Sequence, residues 1–64
     1  MTKQNAIDSM CEGVKVTHHS FTDKEYITMK DGKVEDEDGY RLDWNEFWRF
    51  RVSKSFNEGW SVFD

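Results

Sequence analysis

Apolar side chains recur along this chain at two periods, and each period predicts a different element. Ile7, Met10 and Cys11 stand at i, i+3 and i+4 ahead of Gly13. That spacing predicts one or two turns of helix within residues 1–12, the alternative being a flexible arm. Residues 14–18 alternate Val-Lys-Val-Thr-His, the pattern of a half-buried strand with Val14, Val16 and His18 on one face. Ser20 to Asp23 interrupts it, and the chain turns β-rich again from Tyr26 to Met29. Asp31-Gly32 then predicts a two-residue type I′ hairpin, because both central positions need positive φ. This turn sets Met29 opposite Val34 and Lys30 opposite Lys33. Asp38-Gly39 offers a second such turn into Tyr40, Arg41 and Leu42. It would place Asp36 opposite Arg41, a good match, but Glu35 opposite Leu42, a poor one.

The stretch from Trp44 to Phe63 holds all three tryptophans and four of the five phenylalanines, and it fits both periods. Asp43 and Glu46 have the spacing of a capping box. A helix started there would align positions 44, 47, 48, 51, 52 and 55, four of them apolar, and would leave out Phe50 and Phe56. From Trp48 to Phe56 strict alternation holds at eight of nine positions, and Val, Phe and Trp favour strands. The preferred reading is a brief helical turn at 43–47 followed by a hairpin pairing 48–56 with 60–63 across Asn57-Glu58-Gly59. The expected architecture is a small, mostly-β single domain over residues 1–64. It has four to five short antiparallel strands in a sheet or open barrel, with an optional short N-terminal helix. The alternative is an α+β domain with a helix at 43–56.

Composition changes this picture in three ways. A chain of 64 residues buries only about 60% of the surface its unfolded form exposes. Its single cysteine allows no internal disulfide, which leaves aromatic burial or self-association as reinforcement. Ten aromatic residues are many for so small an interior, so some are expected on the surface. Finally, the net charge of −4 is local: Asp31, Glu35, Asp36, Glu37, Asp38, Asp43 and Glu46 fall within residues 31–46 against only Lys33 and Arg41. No basic footprint for duplex DNA is visible.

No run is long and apolar enough for a membrane span. The lone thiol and the lack of an N-terminal apolar segment predict a reducing, cytoplasmic setting. Beginning at Met1, the chain reads as a small free-standing product, a size typical of accessory or inhibitory factors, many of them carried by phages or mobile elements.

Candidate chemistry is sparse. With Gly39 at the sixth place of a calcium loop, Asp36 and Asp38 fit, but Val34 and Asn45 occupy the first and last ligand positions. His18 and His19 would point to opposite faces of a strand, one half-buried and one exposed, so they do not predict a shared metal ion. Nothing beside Cys11 would lower its pKa or build an oxyanion hole. No cofactor, metal or catalytic activity is expected. What remains is a binding module for a larger protein, with a basic surface or a second copy of the chain as partner. The expected contacts are Asp36, Glu37 and Asp38 in an acidic loop, with Trp44, Phe47, Trp48, Arg49, Arg51 and Trp60 forming an aromatic/Arg surface. Trp44 and Phe47 fall outside the strand alternation and are the aromatics folding accounts for least. The alternative is a small single-stranded nucleic-acid-binding protein, using Arg49 and Arg51 interleaved with Trp48 and Phe50.

Overall fold

Two glycine turns and two capped helices set the course of the chain in the computed structural model, which describes residues 1–64. Helix α1 spans Lys3–Cys11, and Thr2 caps it by accepting from the Asn5 N–H. It closes in a Schellman motif, with Gly13 at φ 84°, the Val14 N–H on the Ser9 carbonyl and the Gly13 N–H on the Met10 carbonyl. The predicted N-terminal helix therefore forms, but its buried face is Ala6 and Met10, with Ile7 half-buried and Cys11 exposed.

Strands β1 (Val16–His18), β2 (Ile27–Lys30), β3 (Lys33–Asp36), β4 (Arg41–Asp43) and β5 (Trp60–Val62) form one antiparallel open sheet in the order β4-β3-β2-β1-β5. The small, mostly-β architecture is as expected. The β2–β3 hairpin has the expected register, Met29 opposite Val34 and Lys30 opposite Lys33, across Asp31 at φ 54° and Gly32 at φ 79°.

The β3–β4 turn differs by one residue from the expected pairing. Glu35 faces Arg41 and Val34 faces Leu42. Asp36 makes this slip by capping a three-residue loop: its Oδ1 accepts from the Asp38 and Tyr40 N–H groups, both at 2.9 Å. The shift removes the poor Glu35–Leu42 match. It substitutes an apolar pair and an ion pair from Arg41 Nε to Glu35 Oε2 at 3.0 Å.

The larger correction lies at 48–56, which forms no strand. Asp43 caps helix α2 (Trp44–Arg49) by accepting from the Asn45 N–H, and a 3-10 turn follows at Lys54–Asn57. Helical spacing lets the adjacent Phe47 and Trp48 both enter the core, whereas a strand would have sent one of them to solvent. Phe50 and Val52, predicted inward by alternation, are 77% and 76% exposed. Strand β5 consequently pairs with β1, Val16 facing Val62 and His18 facing Trp60.

Because paired residues share a face, Val16, His18, Ile27, Met29, Val34, Leu42 and Trp60 lie on one side of the sheet. Ala6 and Met10 of α1 and Phe47 and Trp48 of α2 join that side in one hydrophobic cluster. The other side carries Thr17, Thr28, Lys30, Lys33, Glu35, Arg41 and Ser61 and is covered by no helix.

His18 is buried at 2% exposure and ties three segments together. Its Nε2 lies 2.9 Å from the Ser55 carbonyl and 2.8 Å from the Glu58 carbonyl. Its Nδ1 accepts from the Ser20 N–H at 3.1 Å and lies 2.8 Å from the Ser20 hydroxyl. Two carbonyls on one nitrogen and an amide donor on the other assign the ring proton to Nε2. His19 is exposed, and its ring lies over Gly59 so closely that any side chain there would collide with it.

Candidate functional site

One cleft opens on the helix-covered side, at the β3–β4 end of the sheet. Its apolar lining comes from Ile27, Val34 and Leu42 of the strands, Phe47 of α2, and Phe21 and Tyr26 of the β1–β2 connection. Its charged and polar lining is Glu25, Asp36, Glu37, Tyr40 and Arg51. The volume is about 110 Å³. Small-molecule and cofactor pockets usually run to about 300–1,000 Å³, so this cleft has the dimensions of a single side chain.

These groups are placed by local structure. Asp36 is held by the loop it caps. Glu25 accepts from the Thr22 N–H through Oε1 at 3.0 Å. Arg51 follows α2 and folds back on it: Nη1 donates to the Phe47 carbonyl at 3.1 Å, and the guanidinium lies 3.9 Å from the centre of the Phe47 ring. Burial lowers the Arg51 pKa, and the nearby Glu25 charge partly restores it. The guanidinium keeps its charge, as arginine does throughout folded proteins. The only two ion pairs in the structure belong to Arg41, with Glu35 and Asp31. Glu25, Asp36 and Glu37 thus have no cation within 4.0 Å, and they do not converge into a metal-binding group.

Of the residues expected to bind a partner, the fold brings Asp36, Glu37, Phe47 and Arg51 together in this cleft. Asp38 sits in the same loop without lining it. Arg49 is exposed at the end of α2 and also lies outside the lining. Trp48 and Trp60, expected on the surface, are core residues at 9% and 2% exposure. Trp60 donates through Nε1 to the Phe56 carbonyl at 2.8 Å. It also packs edge-on against His18, Phe21 and Trp48. Trp48 Nε1 is buried without an acceptor. Trp44 is half-buried and meets the Trp48 ring edge-on at 5.6 Å. Phe47, read from sequence as spare, is 97% buried by the fold while still walling the cleft.

Sequence reasoning missed Phe21, Glu25, Tyr26, Ile27, Val34, Tyr40 and Leu42. Correct β3–β4 register would have placed Leu42 beside Val34 and exposed the signal. Glu25 carries none, because only tertiary packing brings its loop to Arg51.

Comparison with protein-family models, with curated proteins and with solved structures finds no match for this chain. The fold and the cleft therefore define its class by themselves: a one-layer antiparallel sheet with helices on a single face, bearing one side-chain-sized recess. No helix is long and apolar enough to cross a membrane.

Proposed function

We propose that this protein is a non-catalytic binding module that engages a larger protein partner through the face around the cleft. The observation that carries this reading is the convergence of Asp36 and Glu37 with Phe47 and Arg51. These side chains come from two separate segments, and the fold joins the acidic loop to the aromatic/Arg segment at one recess. Two of its lining side chains are exposed, Tyr40 at 68% and Leu42 at 39%. Aromatic and arginine groups around a small pocket, with charge at the margin, are the composition of an interaction surface. The size of the chain fits an accessory or inhibitory factor of the kind phages and mobile elements carry. The free, exposed Cys11 suits the reducing cytoplasm.

The test compares capture from lysate by wild type, by a Tyr40→Ala/Glu37→Lys variant, and by Ser61→Lys on the opposite face, all first checked for native fold by circular dichroism. A protein lost with the first variant and retained with the second supports the cleft face. Identical capture by all three removes it. Sedimentation of the same samples reports whether the retained species is a second copy of this chain.

The nucleic-acid reading loses the strand on which Arg49, Trp48, Arg51 and Phe50 were to alternate. A different surface still combines the required groups. Tyr26 and Phe63 lie against one another with ring centres 4.7 Å apart, and the Lys15 ammonium lies 4.7 Å from the centre of the Tyr26 ring. Salt-dependent retardation of a single-stranded oligonucleotide, abolished by Lys15→Glu, would move the function there.

A further inference from the structure

We infer that the cleft is a receptor for one arginine side chain presented by the protein partner, an inference that rests on the binding-module reading above. Three features converge on that chemistry. The recess of about 110 Å³ admits one long side chain rather than a cofactor or nucleotide. Its apolar lining, Ile27, Val34 and Leu42, offers surface to a methylene stem, while Glu25, Asp36 and Glu37 offer carboxylates to a charged head. That division matches an amphipathic basic side chain, which buries its stem and keeps its charge near polar groups.

The electrostatics point the same way. Glu25, Asp36 and Glu37 face one cation, Arg51, which leaves a local excess of negative charge with no ion pair to neutralise it. An acidic or uncharged guest would leave that excess unpaired. A basic guest supplies the missing charge, and its hydrogen bonds to carboxylates are of the stronger, charge-assisted kind.

Arginine is favoured over lysine by the ring of Tyr40. Phe47 already carries the Arg51 guanidinium on its face at 3.9 Å, so that wall is taken by the protein's own cation. Tyr40 offers a second, largely exposed ring. A planar guanidinium can stack there and still direct two N–H groups at one carboxylate, which a lysine ammonium cannot do.

The test uses the full chain, labelled with nitrogen-15, and three small probes: N-acetyl-arginine methylamide, its lysine counterpart and its citrulline counterpart. Citrulline keeps the length and planarity of arginine and lacks the charge. The arginine probe is expected to shift the amides of Tyr40, Leu42 and Phe47 along saturable curves. The lysine and citrulline probes are expected to bind about tenfold or more weakly, the loss of one charge-assisted contact. A Glu25→Gln/Glu37→Gln variant should lose the arginine response with its spectrum otherwise native. Glu37 makes no hydrogen bond, and glutamine at 25 can still accept from the Thr22 N–H.

Equal binding of citrulline overturns the charge argument, and equal binding of lysine overturns the assignment to arginine. Absence of any shift at these amides overturns the receptor. If capture from lysate still depends on Tyr40 and Glu37 in that last case, the binding face stands and only its guest is wrong. If the arginine probe binds but capture does not depend on the cleft, the binding-module reading fails instead.

Discussion

Replacing His18 with phenylalanine removes every polar contact of the ring while keeping its size and its aromatic neighbours Phe21, Phe56 and Trp60. The Ser55 and Glu58 carbonyls lose their donor, and the Ser20 N–H loses its acceptor. A buried polar group left without a partner costs about 1–3 kcal/mol. Ser20, Ser55 and Glu58 are themselves exposed residues, so water can recover part of that cost. The net loss expected is roughly 2–4 kcal/mol. A chain of this length has a total stability of about 3–10 kcal/mol, so the substitution removes a large share of it. Urea unfolding followed by tryptophan fluorescence reads the effect directly, because Trp60 lies 4.8 Å from the His18 ring. With a slope of about 1 kcal/mol per molar urea, the midpoint should fall by about 2 M or more. His19→Ala, on the exposed neighbour, should move it by no more than about 0.5 M. An unchanged or higher midpoint for His18→Phe would refute the reasoning, showing that an apolar ring serves this position as well as the hydrogen-bonded one.

The two buried tryptophans should respond differently to the same change. Trp60→Phe breaks the bond to the Phe56 carbonyl, whereas Trp48→Phe removes an N–H that has no acceptor. Calorimetry should find the first costlier by about 1–2 kcal/mol, and equal costs would contradict the assignment of their partners. Gly59→Ala combines a positive φ of 86° with a collision against His19; it should cost more than about 1 kcal/mol in a denaturant titration, and His19→Ala in the same chain should relieve part of it. Asp43→Ala deletes the cap of α2 and should lower stability by about 1 kcal/mol, with faster amide exchange at Asn45 as the local signature.

Much of the fold could be read from the chain because local rules determined it. The Asp31-Gly32 hairpin depends on two residues that tolerate positive φ, and its register followed from them. The inward face of β1 followed from alternation. The segment at 48–56 is ambiguous in the sequence because its aromatics satisfy two periods at once. The choice between them came from the Asp43 cap and from how many rings the sheet could receive, and the second factor is tertiary. At the β3–β4 turn one carboxylate, Asp36, shifted the register by accepting two N–H groups, an effect that turn dipeptides do not report. The candidate site was half visible. Asp36, Glu37, Phe47 and Arg51 stand out by charge and ring content, yet the same criteria point to Trp48 and Trp60, which the fold buries. Two of the three indoles go into the core because so short a chain has few other large side chains to fill it.

The pairing of β5 with β1 also governs the order in which the molecule can assemble. The β2–β3 and β3–β4 turns close over two or three residues, a step that takes microseconds. Joining Trp60 to His18 closes a loop of roughly 40 residues, with a chain-entropy cost of about 3 kcal/mol by the logarithmic scaling of loop closure. The meander of β2, β3 and β4 can therefore appear early. The β1–β5 seam belongs to the late, non-local part of the folding reaction. Stabilising changes confined to that seam should slow unfolding more than they speed folding. His18, which stands in it, would then act less as a nucleus than as the latch that sets how long the native state lasts.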